Sequence, residues 1–467
     1  MQRALWLDGL RGIAAAIVTL RHAFVYEEPS PVFDFMFRSY WADPPEENRY
    51  FIQLPPFRLL FAGSSMVALF MVISGFAISI SILKARNSDI TGSGQFVRRI
   101  SSASTRRIFR IYLPVICVAV ISHILFFCNL YRSWPSWKHH MWGLKPWTAP
   151  WLHIKFLFWL LLHLMDVFNH RLDINIFNHR PDLQVLNDQF WTMPIEFRGS
   201  CIVYLLLLTT VFWRPRPRRA ILAAVAAYWF WIGQWDIFSF VAGLWISEGH
   251  VVSEKLEADG EISLPCEEDE PLSPTATAWK RIDETWIRVS RSESFHHTRA
   301  TLTFLVGIFF LSMCDNEPLG MEYQFLRTFF HSPNWGEKEM ERRCWTCLGA
   351  VLVVHSIGQS EYLQWPLNAR PIQYLAKISF PLYLIHMTIY LTLQTPLQNL
   401  FWYITRHEWY PGTIEASKHL LPFTVTWVGS LLVLAVIMLV LSDLWERYVD
   451  KKCLEIGKKF ERWVTGQ

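Results

Sequence analysis

An arginine and a histidine, Arg11 and His22, lie eleven residues apart in the first apolar stretch, residues 5–26, which also contains Asp8. At about 3.6 residues per turn this spacing is roughly three turns, so both side chains lie on one helix face, about 16 Å apart along the axis. Such residues inside a membrane helix are costly and indicate a functional site. An imidazole takes a proton from a hydroxyl near neutral pH, and a guanidinium binds phosphate or stabilises negative charge. Alternatively, Arg11 is a charge flanking the membrane and His22 a hydrogen-bonded interface residue.

A run of basic residues opens a later apolar stretch, where Arg106, Arg107 and Arg110 precede Ile111 and Pro114. Arg106 and Arg110 are four residues apart and share a helix face. Guanidinium groups bind phosphates through paired N–H donors, so the run predicts a site for a nucleotide-bearing cofactor. A positive anchor at the cytoplasmic membrane surface explains the same residues equally well.

Ionisable residues also lie within two further apolar stretches. Glu196 lies about two turns into QFWTMPIEFRG, and an acid at that depth needs a partner. Tyr383 and His386 share a face of KISFPLYLIHMTIY, three residues apart. The expected topology places the arginines at the inner end of the helices, and it places His22, Glu196 and His386 in the outer half. The sequence therefore predicts a basic inner mouth and an outer cluster of His22, Glu196 and His386.

Ser74 and Gly75 lie in the middle of FMVISGFAISI. A glycine at this depth permits the close approach of another helix or of a ligand. Helix packing is the simpler explanation, and we also include both residues as candidates for substrate binding.

The composition indicates which elements position these residues. Of the 467 residues, 52% are hydrophobic, 18% are charged and 16% are aromatic, with 24 tryptophans. Tryptophan and tyrosine concentrate at membrane–water interfaces, so the surplus suits many short loops at headgroup level. The basic residues lie beside apolar stretches and form no nucleic-acid-binding face, so no nucleic-acid partner is expected.

Apolar stretches recur along nearly the whole chain, and a membrane-spanning helix needs about 20 such residues. We predict an all-α, polytopic membrane protein with about ten transmembrane helices in a single domain, residues 1–467. The predicted spans are residues 6–26, 57–83, 108–129, 190–213, 220–233, 236–250, 300–314, 344–358, 372–394 and 422–445. Residues 151–168 are marginal for a span and are expected along the interface.

The loop charges give the orientation. Basic clusters fall on one side if both termini are cytoplasmic, as cytoplasmic loops are rich in Lys and Arg. They are Lys84, Arg86, Arg98, Arg99, Arg106 and Arg107; Arg214, Arg216, Arg218 and Arg219; and Arg447, Lys451, Lys452, Lys458 and Lys459. The endoplasmic reticulum and the plasma membrane are not distinguished.

Two loops are long. Residues 251–299 begin with an acidic part and are predicted to form a flexible cytoplasmic loop, and residues 130–188 are rich in Trp, His and Asn. Cys344 and Cys347 form the CxxC pair of a chain whose eight cysteines are otherwise scattered. One such pair is weak evidence for a metal site, and no metal is expected.

Six motifs in order resemble the acyltransferase 3 family of integral membrane acyltransferases. LDGLRGIAAAIVTLRH is similar to the first-helix signature with its Arg-x10-His pair, and FMVISGF to the second-helix motif. RRIFRIYLP resembles the arginine-rich start of the third helix, and QFWTMPIEFR the W-x-x-x-x-E element. FSFVAGLWISE resembles the sixth helix, and ISFPLYLIHMTIY the S-x-x-x-Y-L-x-H element. The resemblance covers nearly the whole chain, and it is closer to a fungal stand-alone member than to a bacterial one.

The resemblance implies ten transmembrane helices and transfer of an acyl group, often acetyl, from cytoplasmic acyl-CoA to a hydroxyl. It implies that Arg11 and His22 are the essential pair, with His22 as base, and that the arginine run faces the CoA phosphates. Glu196, Tyr383 and His386 would line the acceptor side. Thr-Met-Pro-Ile before Glu196 and Arg-Gly after it depart from the family's usual hydrophobic and acidic run. The acceptor implied is a small molecule, such as a secondary metabolite, a lipid or a glycan.

Two other function classes fit the same residues. A proton-coupled transporter or flippase would use buried ionisable residues as its pathway, although no inverted repeat is detectable. The second function class is a non-catalytic scaffold or receptor with the same fold, since a fold does not determine a function.

Overall fold

The computed structural model describes residues 4–25, 31–88, 94–133, 145–147, 149–166, 186–258, 293–314, 319–336 and 338–466. Every regular element within these residues is helical. The longest helices there are α1 (Leu5–Val25), α2 (Gly63–Ser88), α3 (Gln95–Phe127), α4 (Pro150–Met165), α5 (Thr192–Thr209), α6 (Pro215–Trp231), α7 (Trp235–Ala258), α8 (Glu293–Leu311), α9 (Lys338–Gln359), α10 (Arg370–Arg406), α11 (Leu420–Trp445) and α12 (Lys451–Thr465). The expected all-α class is confirmed.

Five stretches within α2, α3, α5, α10 and α11–α12 are long and apolar enough to cross a membrane. The helix α1 is not among them, because its 21 residues include three charged side chains, Asp8, Arg11 and Arg21. A helix occupies each of the ten predicted spans, and that all ten cross stays a prediction. The second predicted span begins too early, since Phe57–Phe61 form a separate 3-10 turn before α2.

The marginal apolar piece near residue 151 forms α4, a helix of 16 residues that begins at Pro150. It is an apolar helix shorter than the five candidates. Most of the predicted cytoplasmic loop, residues 259–292, lies outside the described part, as do residues 134–144, 148 and 167–185 of the other long loop.

The helices α1 and α10 pack closely along their lengths. A Cβ on Gly12 would lie only 2.5 Å from the backbone nitrogen of Ala376, so the helix axes approach as only glycine permits. Further along both helices, the Tyr390 hydroxyl donates to the Thr19 carbonyl at 3.0 Å. Residue numbers rise together along the two helices, and α1 and α10 therefore run parallel.

The helices α2 and α7 form a second close pair. A Cβ on Gly75 would lie 2.2 Å from the carbonyl oxygen of Phe240. One turn further along, the Ser79 and Ser247 hydroxyls are hydrogen-bonded to each other. These two helices also run parallel, and Gly75 is explained by this contact.

Buried ion pairs hold α7 at its middle and at its N-terminal end. Near the middle, Arg86 of α2 and Arg218 of α6 both donate to Glu248, with nitrogen–oxygen distances of 3.0 and 2.8 Å. The Glu248 side chain is fully buried. At the N-terminal end, Arg198 of α5 donates to the buried carboxylate of Asp236. Each buried acid has a cationic partner, as a low-dielectric interior requires.

Candidate active site

A cavity of about 370 Å³ lies between α2, α3, α5, α10 and α12. It brings together seven of the residues singled out from the sequence, which are Arg11, Ser74, Arg106, Arg107, Arg110, Glu196 and Tyr383. Its ionisable cationic groups are these four arginines and Lys458, and its carboxylate is that of Glu196. The walls are therefore strongly positive, and they suit an anionic ligand.

The arginine run forms one wall of this cavity, because α3 begins at Gln95 and carries all three arginines in its first half. Arg107 Nη2 donates to Glu196 Oε1 at 2.8 Å, and Arg107 Nε donates to the Ser200 hydroxyl at 2.5 Å. The Ser74 hydroxyl donates to the same Glu196 oxygen at 3.2 Å. Glu196 thus has the partner that its depth requires, and it fixes the guanidinium of Arg107.

Arg11 occupies the wall between two cavities. Its Nε donates to the Ser379 hydroxyl at 3.1 Å, and its Nη2 lies 3.2 Å from Asp8 Oδ1. A second cavity of about 560 Å³ lies on the other side and shares Arg11, Arg110, Ser379, Phe380 and Leu454 with the first. This second cavity also has acidic lining, from Asp8, Glu446 and Asp450.

The two histidines singled out from the sequence meet across the α1–α10 interface. His386 Nε2 lies 3.2 Å from His22 Nδ1, and the ring centroids are 4.9 Å apart. His386 is completely buried, whereas His22 is half-buried. His22 is therefore the more accessible member of the pair, and neither histidine is among the residues that line the two cavities.

Backbone carbonyls assign the tautomers of this pair. His386 Nδ1 lies 3.2 Å from the Leu382 carbonyl, which accepts only, so this nitrogen carries the proton and Nε2 is an acceptor. His22 Nδ1 faces both the Val18 carbonyl at 2.9 Å and His386 Nε2, and it must donate to them. The basic lone pair of a neutral His22 is therefore on Nε2.

Tyr383 connects the cavity with the histidine pair. It lines the cavity, and its ring centroid lies 5.9 Å from that of His386. Its hydroxyl donates to the Gln189 carbonyl at 2.8 Å and lies 2.8 Å from the Thr192 hydroxyl. These contacts fix the ring at the end of the cavity nearest to His386.

The predicted outer cluster forms only in part. His22 and His386 are in contact, but the carboxylate of Glu196 is bound to Arg107 on the cavity wall because that guanidinium neutralises it. Gly75 does not line the cavity and packs against Phe240, as the helix-packing explanation expects, and its substrate contact stays a prediction.

The CxxC cysteines are both fully buried on α9. In the described part of the chain, no group of three His, Cys, Asp or Glu side chains is placed to hold a metal ion.

Several residues of the site were missed in the sequence. Ser379 holds Arg11 and Ser200 holds Arg107, while Thr192 and Gln189 hold Tyr383. Ser379 had a signal, because it is the first residue of the S-x-x-x-Y-L-x-H element. Ser200, Thr192 and Gln189 had no such signal, since polar residues of these types, serine and threonine above all, occur throughout such helices.

Comparisons with known proteins identify the family of the chain. The family model described as "Acyltransferase domain", acyltransferase 3, matches residues 4–442. O-acetyltransferase PaAT-1 of Phomopsis amygdali is 25% identical over 97% of this chain and 83% of its own length. Acyltransferase clz18 of Cochliobolus lunatus is 23% identical, covering 86% of each chain. Acyltransferase R4 of a Phoma species is 20% identical over 96% of this chain and 94% of its own. No solved structure matches the chain.

Proposed function

Because the chain belongs to the acyltransferase 3 family, we propose that it moves an acetyl group from cytoplasmic acetyl-CoA to a hydroxyl of an acceptor. Membership of the family makes the chain an acyltransferase, with an acyl donor and an acceptor of some kind. The O-acetyltransferase name of the Phomopsis relative supports acetyl transfer to oxygen. The acceptor is a small molecule, such as a secondary metabolite, a lipid or a glycan.

The observation that carries the proposal is the cationic cavity. Arg11, Arg106, Arg107 and Arg110 converge on one space, opposed there by the carboxylate of Glu196. Guanidinium groups bind phosphates in paired geometry, and CoA carries three phosphate groups. Glu196 keeps Arg107 in place, and we assign it a positioning role there.

His22 is the proposed general base. Its Nε2 accepts the acceptor's hydroxyl proton while the oxygen attacks the thioester carbonyl carbon, so that a C–O bond forms and the C–S bond breaks. His22 then returns the proton to the departing sulfur. His386, whose Nε2 accepts a hydrogen bond from His22 Nδ1–H, holds the base in the required tautomer and orientation.

Arg11 and His22 work at opposite ends of the donor in this proposal. Their separation of eleven positions corresponds to about 16 Å along α1, too far for both to contact one reacting atom. An extended phosphopantetheine arm is long enough to connect the two. Arg11 therefore binds the donor near its phosphates, and His22 acts at the thioester.

We further propose that ten helices cross the membrane with both termini in the cytoplasm. The helix directions support this count. In an alternating arrangement, α1 and α10 are the first and ninth spans, and α2 and α7 are the second and sixth, so each pair must run parallel. Both pairs do so, with α4 not counted as a crossing.

Binding and turnover separate this proposal from a transporter or a scaffold. The full chain is purified in detergent and titrated with CoA by isothermal titration calorimetry, and acetyl-CoA hydrolysis is followed by thiol release. We expect His22→Asn to bind CoA within about twofold of wild type while hydrolysis falls at least about a hundredfold. Arg11→Ala should weaken CoA binding about tenfold.

Two matched variants control for the loss of an imidazole ring and for the loss of a guanidinium charge. His407→Asn and Arg216→Ala change exposed residues outside the cavity and should leave binding and hydrolysis unchanged. A folded wild type that binds no CoA contradicts the acyl-CoA assignment. An unchanged rate of acetyl-CoA hydrolysis in His22→Asn contradicts the assignment of His22 as the general base.

A further inference from the structure

The C-terminal helix α12 packs on the helix that carries the arginine run. It continues from α11 through the turn Glu446–Asp450 and lies along α3. A Cβ on Gly457 would lie 3.0 Å from Cβ of Phe109, and the rings of Phe109 and Phe460 are 5.0 Å apart. Cys453 and Gly457 are buried in this contact. The contact holds α12 beside the first turns of α3.

One stripe of α12 faces the two cavities. Lys451, Leu454 and Lys458 follow one another at intervals of three and four residues and so share a helix face. Leu454 and Lys458 line the cavity that contains the arginine run, and Lys451 and Leu454 line the second cavity. Lys458 and the next lysine, Lys459, are both exposed, and Lys459 lines neither cavity.

The cationic side chains on and beside this stripe differ in whether a carboxylate pairs with them. Lys451 Nζ lies 3.6 Å from Glu446, and Arg106 Nε lies 3.7 Å from Glu461 of α12. Among the residues that the structure describes, no carboxylate forms an ion pair with Lys458. Its ammonium group therefore adds to the positive charge of the cavity without internal compensation.

The family match ends at residue 442, before α12 begins at Lys451. This wall of the cavity therefore lies outside the part of the chain that the family model describes. We propose that α12 completes the donor site and that Lys458 binds a phosphate of the nucleotide part of the acyl-CoA donor. The inference rests on the proposed function, because it takes the cavity as the donor site.

The test compares neighbouring lysines in the full chain purified in detergent. CoA and adenosine 3′,5′-bisphosphate are titrated by calorimetry into wild type, Lys458→Ala, Lys458→Arg and the control Lys459→Ala. Loss of one charge-assisted contact should weaken binding of both ligands about tenfold in Lys458→Ala. Lys458→Arg keeps the charge and should stay within about threefold of wild type. Lys459→Ala should match wild type.

Each other result overturns the inference in a recognisable way. If Lys458→Ala binds both ligands as wild type does while Arg106→Ala binds them weakly, α12 is not part of the donor site and the proposed function stands. If Lys459→Ala weakens binding as much as Lys458→Ala does, the loss comes from the lower positive charge of the protein, and Lys458 makes no specific contact with a phosphate. If wild type binds no CoA, the donor assignment itself fails. If Lys458→Ala lowers the melting temperature, Lys458→Gln replaces it, because Gln keeps most of the aliphatic stem. The same criteria then apply to Lys458→Gln.

Discussion

The imidazoles of His22 and His386 face each other across two parallel helices, with His386 Nε2 3.2 Å from His22 Nδ1 although the two residues are 364 positions apart in the chain. His386 is completely buried, and its other nitrogen is held by the Leu382 carbonyl. The pair therefore has a fixed inner member and a more accessible outer member. This arrangement is the basis for the positioning role that we propose for His386.

Changing the acceptor at position 386 should affect turnover and not donor binding. His386→Leu removes the acceptor of the His22 Nδ1 proton, and we expect kcat to fall about tenfold to a hundredfold. His386→Gln restores an acceptor oxygen and should recover a large part of the loss. CoA affinity should be unchanged in both. Equal kcat values for the Leu and Gln variants would contradict the positioning role, since only the Gln side chain can accept a hydrogen bond from His22 Nδ1–H.

Adding one methyl group at Gly12 should destabilise the α1–α10 pair. The new Cβ would lie 2.5 Å from the backbone nitrogen of Ala376, and backbone cannot move aside as a side chain does. We expect Gly12→Ala to lower the free energy of unfolding by about 1–3 kcal/mol, seen as a lower melting temperature in detergent. Gly336→Ala is the control, because a Cβ added there would meet no atom of the described residues within 4 Å. Equal melting temperatures for the two variants would be evidence against the close approach.

Neutralising Glu248 should leave two buried guanidinium groups without their counter-charge. Arg86 and Arg218 both donate to it, and their side chains are 7% and 5% exposed. We expect Glu248→Gln to lower the free energy of unfolding by about 3 kcal/mol. Glu254→Gln breaks an exposed pair with Lys84 and should cost less than about 1 kcal/mol. Thermal denaturation of both variants in one detergent makes the comparison, and similar losses would contradict the role of burial.

Salt should weaken donor binding because the cavity is lined by four arginines and one lysine. Raising the salt concentration from about 0.05 M to about 0.5 M shortens the screening length severalfold, and we expect the dissociation constant of CoA to rise several-fold. The increase should be smaller in Arg106→Ala, which has one charge fewer. A dissociation constant that does not change with salt in the wild type would show that charge does not drive binding.

The helices could be predicted from the sequence because an apolar stretch is a local property. Its length and hydrophobicity decide whether it forms a membrane-spanning helix, and no distant residue is needed. The spacing of Arg11 and His22 placed them on one face, and both do contact the same neighbour, α10. The arginine run was likewise visible, and it forms a cavity wall.

The boundaries and loops were harder to predict. The turn Phe57–Phe61 is as apolar as the helix after it, so hydrophobicity alone did not separate the two. Glu196 was expected beside the histidines because its depth in the helix matched theirs. Depth does not identify the neighbouring helix, and α5 presents this carboxylate to Arg107 of α3.

The sequence by itself determined the helical class, the residues able to do chemistry and the family. Only the tertiary structure decided that His386 contacts His22, that Glu196 pairs with Arg107, that Gly75 packs against α7 and that Lys458 lines the same cavity as the arginines. Helices in a membrane are not sorted by hydrophobicity, because lipid is as apolar as their side chains. Small residues that permit close approach and single polar contacts select the partners, and these interactions exist only once the helices meet.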